Sequence, residues 1–116
     1  IANPAVAEID HDDLEMHPDQ LAYHHNKPFT GKAISKHDNG RRESVIHYRD
    51  GRRHGLEIRW RDNGTKEYEG PWVNGHRQGK HTLWWSKDKK ASEITYDQDE
   101  PITKKIWDEQ GQPIGK

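Results

Sequence analysis

The side chains here that could do chemistry are nine histidines, a run of seven arginines and a few paired carboxylates. Metal capture needs imidazoles or carboxylates converging from one face, as in His-x-x-x-His or Glu-x-x-His on a helix. No such spacing is available on a helix. His24 and His25 are adjacent, so a strand points them to opposite faces, and His11 and His17 fall in an acidic N-terminal stretch. The histidines read as surface groups, and neither a metal nor any other cofactor is expected. Nucleophilic catalysis has no cysteine to use, and Ser35, Ser44, Ser86 and Ser92 lie outside any Gly-x-Ser-x-Gly turn. No glycine-rich loop opens a helix to cradle phosphate. Glu67 and Glu69 form a carboxylate pair, but an exposed strand does not desolvate them enough for acid–base work. These residues point to a non-enzymatic protein without a small-molecule substrate.

The arginines carry the stronger signal. Arg41, Arg42, Arg49, Arg52, Arg53, Arg59 and Arg61 fall within 21 residues, joined by His47 and His54. Guanidinium grips carboxylate or phosphate with two parallel N–H groups. If hairpins follow one another, Arg49 and Arg59 come into neighbouring strands as one patch. One reading is a solvated face balanced by Glu43, Asp50, Glu57 and Asp62. Another is a docking site for an acidic protein surface. Anionic membrane and nucleic acid are also bound through such charge, although a net charge of −1 and the acidic N-terminus disfavour nucleic acid.

These groups need a scaffold, and composition bounds it. The chain has 116 residues, 28% hydrophobic and 34% charged, with a mean hydropathy of −1.37. Such values suit a disordered chain, but five tryptophans and four tyrosines do not, since each ring can bury roughly 150–250 Å². A thin fold with a narrow aromatic core follows. No apolar run reaches the ~18 residues of a membrane span. The chain begins at Ile1 rather than methionine, which fits removal of a signal peptide, a tag or a domain boundary. An exported or periplasmic protein is expected in preference to a cytoplasmic one. Charge is uneven: residues 1–20 are net −6 with no Lys or Arg, whereas residues 21–96 are net +7. The acidic leader is either simply solvated, or lies across the basic face of its own domain or competes with an acidic partner for it.

A period organises the rest. Gly31, Gly55 and Gly79 stand 24 residues apart and open similar segments. Fixed periods of this size mark repeat arrays. Asn39-Gly40 and Asn63-Gly64 share one offset, and Asp50-Gly51 and Asn74-Gly75 share another, so each unit reads strand–turn–strand–turn. Alternation sets the column Tyr48, Trp72, Tyr96 along one face. In the first strands Ile34, Ile58 and Thr82 align, as do Lys36, Trp60 and Trp84. Together Tyr48, Trp60, Trp72, Trp84 and Tyr96 read as a structural aromatic stripe, with Arg, Glu, His and Lys mostly on the other face. Trp85 breaks the pattern beside Leu83 and reads as an exposed interface anchor. In the third unit Lys87-Asp88 and Gln98-Asp99 replace the turn glycines, which weakens those turns. Ala5–Ile9 and Leu14–Met16 predict a short helix ending before Pro18.

This arrangement resembles the MORN repeat: a glycine, a short strand with an aromatic, an Asn-Gly turn, a second strand ending in Tyr or Trp, then Asn-Gly-x-x-x-Gly. Leu21-Ala22-Tyr23 followed by Pro28-Phe29-Thr30-Gly31-Lys32 is similar to the entry of bacterial MORN variants of the YwqK-type antitoxin and immunity family. The resemblance implies an all-β, elongated single-layer antiparallel sheet of consecutive hairpins, with a short N-terminal helix or extended capping segment. Residues 1–20 would be the leader or cap. Residues 21–116 would be the repeat domain, with units at 31–54, 55–78 and 79–102 and partial units at both ends. It also implies a protein partner, a cognate toxin or effector, neutralised by binding. The alternative is a scaffold at an anionic membrane. Partner contacts are expected from Arg41, Arg42, Arg49, Arg52, Arg53, Arg59, Arg61 and Trp85.

Overall fold

A computed structural model describes residues 7–115. The strands are β1 (Glu8–Asp10), β2 (Glu15–Met16), β3 (Ala22–His24), β4 (Lys27–Pro28), β5 (Gly31–Lys36), β6 (Arg42–Arg49), β7 (Arg52–Trp60), β8 (Lys66–Val73), β9 (His76–Arg77), β10 (Gly79–Ser86), β11 (Lys89–Asp97), β12 (Glu100–Trp107) and β13 (Pro113–Ile114). One ten-stranded sheet runs β1-β5-β6-β7-β8-β10-β11-β12-β13, with β9 paired to the end of β8. Its pairings are antiparallel except β1 with β5. β2, β3 and β4 form a separate small sheet. The fold is all-β, built from successive hairpins and open at its ends.

Turn chemistry explains the period. At Asp50-Gly51, Asn74-Gly75 and Gln98-Asp99 both central residues have positive φ, the left-handed pair of a type I′ hairpin. Asp99 therefore does in the third unit what glycine does in the others, and that turn keeps its shape. At the other end of the sheet only the glycine is left-handed: Gly40 at φ 86° and Gly64 at φ 89°. There Gly40 N–H donates to His37 O (2.9 Å) and His37 N–H to Arg41 O (2.8 Å), a three-residue turn closed by a glycine bulge.

Units are tied to each other by bonds that recur with the repeat. At the type I′ end, Gly51 N–H donates to Phe29 O (2.8 Å), Gly75 to Arg53 O (2.8 Å) and Asp99 to Arg77 O (2.9 Å). At the opposite end, His37 Nε2 donates to Trp60 O (2.8 Å), Arg61 Nη2 to Trp84 O and Trp85 Nε1 to Trp107 O (2.8 Å). His37, Arg61 and Trp85 occupy one repeat position with three unrelated side chains. Each donates an N–H to a backbone carbonyl of the following unit.

The N-terminal segment is a cap, and its described residues contain no α-helix. Where a helix was expected, the described residues form β1, a single 3-10 turn at His11–Asp13 and β2; Ala5 and Val6 lie outside the described residues. β1 pairs with β5 in the order Glu8↔Lys32, Ile9↔Ala33, Asp10↔Ile34, so Glu8 stands opposite Lys32 while Ile9 turns to the core. The core comprises Ala22, Phe29, Ala33, Ile46 and Tyr48, with Ile9 and Leu14 packed against it. It therefore sits beneath the cap, at one end of the array, and is not spread along a thin aromatic stripe.

Candidate functional site

Beyond the cap, the face that carries Tyr48 and Trp72 lies open. Cross-strand pairs show what shares it: Ile46↔Glu57 and Tyr48↔Arg53, Glu57↔Gly70 and Arg59↔Tyr68, Leu83↔Tyr68, His81↔Ile94 and Gly79↔Tyr96. Residues directly opposite each other point to the same side. Glu57, Arg59 and His81 thus join the aromatics, while Ile58, Trp60 and Trp84 alternate to the other face. This corrects the sequence reading, which set charged residues opposite the aromatics and placed all five rings in one stripe. The ring column that shares this face is Tyr48, Trp72, Tyr96. Trp84 instead meets Lys66, whose Nζ lies 5.6 Å from its ring centre.

Each ring of that column has a partner one repeat apart. Phe29 packs on Tyr48 with centroids 6.1 Å apart. Arg53 Cζ lies 4.9 Å from the Trp72 centroid and Arg77 Cζ 4.2 Å from Tyr96. Positions 29, 53 and 77 are equivalent in the repeat. Where the cap leaves off, guanidinium replaces phenyl as the covering group.

Two buried titratable groups hold this surface together. Glu57, 2% exposed, accepts from Arg53 Nη1 at 3.1 Å and Arg59 Nε at 2.8 Å. A carboxylate this deep needs such pairing. His81, 5% exposed, sits among Tyr68, Trp72 and Tyr96 with centroids 5.6, 5.9 and 5.1 Å away. Its Nε2 donates to Pro71 O at 2.7 Å. A carbonyl only accepts, so the neutral ring leaves Nδ1 to accept from the Tyr68 hydroxyl. Burial holds His81 below the usual imidazole range. Burial, reinforced by the Glu57 charge, raises Tyr68 to about 12. His81 is therefore not the surface histidine that its sequence context suggests.

The predicted arginine patch is dispersed. Arg49 pairs with Arg52 at one end of its hairpin while Arg59 pairs with Ser44 toward the other, roughly 17 Å along the strand. Arg41 and Arg42 are exposed near the opposite turns, Arg41 Nη1 standing 3.5 Å from Asp62 O. Arg61 is spent on the carbonyls of Lys66 and Trp84. The sheet does bring Arg53 and Arg59 together, and adds Arg77. Trp85 remains 44% exposed, as expected of an anchor, but its indole N–H belongs to the inter-unit ladder. Sequence reasoning missed Arg77, Glu57 and His81; the offset 29–53–77 was the available signal for the first.

Hollows run along this face. One, of about 570 Å³, lies between the cap (Met16, Asp19, Leu21) and Tyr48, Arg53 and Trp72. The next, of about 390 Å³, shares Arg53 and Trp72 and continues to Arg59, Tyr68, Arg77 and Leu83. Among the described residues no three His, Asp or Glu side chains stand together as metal ligands do.

No family model, curated protein or solved structure matches this chain.

Acid should weaken the fold in two stages. His81 is neutral in the folded state with its pKa below the ordinary 6.5, so stability is full above that value and falls as pH drops below it. Asp99 is held at about 2, against an ordinary 3.8, by the Arg77 backbone N–H, His76 and the Arg77 guanidinium. Its contribution is present above 3.8 and lost as pH falls toward 2. Urea midpoints measured between pH 7.5 and 5 should decline, and His81→Gln should remove part of that slope. An unchanged slope in the variant would exclude His81 as its source.

Proposed function

We propose that this chain is a non-enzymatic, MORN-type repeat module that binds a protein, and that its partner is a bacterial toxin or secreted effector neutralised by occlusion. The observation that carries this reading is the open aromatic face beyond the cap. Trp72, Tyr68 and Tyr96 lie there half-buried, interleaved with arginine on a rigid sheet. Trp, Tyr and Arg are the side chains that dominate protein-binding hot spots, and their rotamers are already fixed by neighbours, which lowers the ordering cost of binding. An interface of roughly 1,600 Å² fits a ten-stranded sheet. The membrane-scaffold alternative draws less support, because the arginines from 41 to 61 divide between both ends of the sheet and two internal networks.

The test is co-expression with the product of the adjacent reading frame. Growth arrest by that product alone, relieved by this chain with co-elution of the two, is the expected result. Trp72→Ala with Tyr96→Ala should abolish relief. Relief without a complex, or a complex indifferent to both substitutions, would overturn the assignment of this face.

A further inference from the structure

We infer that Arg53, Arg59 and Arg77 form a preorganised carboxylate-recognition site, and that the aromatic face takes an extended acidic segment of a partner protein. The inference rests on the protein-binding reading above and specifies its chemistry.

Each of the three guanidinium groups has one edge committed and another left for a ligand. Arg59 gives Nε to Glu57 at 2.8 Å, and Arg77 gives Nε to Asp99 at 3.0 Å. Both keep the Nη1/Nη2 edge without a hydrogen bond among the described residues. Arg53 gives Nη1 to Glu57 at 3.1 Å and keeps Nε and Nη2. A pair of parallel N–H groups is the geometry that matches a carboxylate. Rings beneath Arg53 and Arg77 fix the planes of those groups, with Cζ 4.9 and 4.2 Å from the Trp72 and Tyr96 centroids. All three arginines line the same hollow of about 390 Å³, together with Trp72, Tyr68 and Leu83. Leu83 is 44% exposed, giving a bound segment an apolar contact between its charges.

The occupant follows from that mixture. A polyanion such as nucleic acid or a lipid surface presents uniform negative charge. Here Glu57 and Glu67 line the hollow with the arginines, and Asp19 stands on the rim of the adjoining one. Spaced single carboxylates alternating with apolar side chains fit this pattern. From Tyr48 on β6 to Tyr96 on β11 is four strand steps, or roughly 19 Å, enough for about six residues of extended chain.

The experiment uses a fluorescein-labelled decapeptide alternating Glu and Leu, its Lys/Leu counterpart, and anisotropy titration of the whole chain. The Glu peptide should bind and the Lys peptide should not. Arg59→Gln and Arg77→Gln should each raise Kd about tenfold, and Arg41→Gln and Arg42→Gln should leave it unchanged. Near-UV circular dichroism checks folding. Should a Gln variant unfold, Arg59→Lys and Arg77→Lys keep the charge but lose the paired N–H edge, and a several-fold loss is still expected. Equal binding of the two peptides, or unaltered affinity in the Arg59 and Arg77 variants, would overturn the site. So would displacement of the Glu peptide by phosphatidylserine vesicles at lower concentration than by unlabelled peptide, which would assign the arginines to a membrane. The two readings fail separately. A toxin complex untouched by Arg59→Gln and Arg77→Gln removes arginine recognition alone. Peptide binding that follows the arginines, without relief of growth arrest, supports the site and removes the antitoxin reading.

Discussion

Gly70→Ala is expected to destabilise the fold by about 3 kcal/mol, the upper end of what overpacking costs. Gly70 lies on β8 between Glu57 and His81, on the aromatic face. A Cβ there would overlap the imidazole of His81 at Nδ1, Cγ and Cε1. The ring has nowhere to retreat, because Tyr68, Pro71 O and two further aromatics hold it. The backbone at Gly70 is not left-handed, so the effect is steric and not conformational. His81→Ala alone loses two hydrogen bonds and a buried ring. In that background Gly70→Ala should be far milder, with a coupling of about 1.5 kcal/mol or more between the two sites. Equal cost of Gly70→Ala in both backgrounds, read from urea midpoints, would show that His81 is not the obstacle.

Ile46→Ala is expected to cost about 3 kcal/mol, within the usual range for truncating a fully buried aliphatic. Ile46 is 1% exposed and is the largest fully buried side chain. Ile94 occupies the same repeat position two units later but is only half-buried, since no cap covers it. Ile94→Ala should cost about half as much or less. The comparison separates two pictures of stability: a uniform stripe predicts similar losses, a capped core predicts a steep gradient. Comparable losses at the two positions would remove the capped-core account.

Positions 46, 70 and 94 also show what the sequence made legible. The period, the strand–turn alternation and the turn pairs were readable because positive φ is a local demand, met within two residues by Asn, Asp and Gly. The burial of His81 was not. It depends on a cross-strand neighbour, and nothing near position 81 says that Gly70 will lie opposite it, where the other units put isoleucine. Glu57 was hidden for the same reason, since its partners Arg53 and Arg59 look like members of a surface patch. The face assignment failed by one residue between first and second strands. Bulges at Arg59/Trp60 and Leu83/Trp84 shift the pairing there, and a one-residue slip exchanges every side chain between faces. The expected N-terminal helix failed because short apolar runs carry no reliable period; pairing with β5 and β3 decided the outcome.

The donors at 37, 61 and 85 each reach only one period forward. A module inserted between the second and third units would thus meet a waiting donor behind it and a waiting carbonyl ahead, and need only carry an N–H donor at that position. Each duplication lengthens the platform by two strands, roughly 9.6 Å, without disturbing the sealed N-terminal end. Under the protein-binding role proposed above, a larger target would be matched by copying, in fixed steps, and selectivity by changing the few residues that cover the rings.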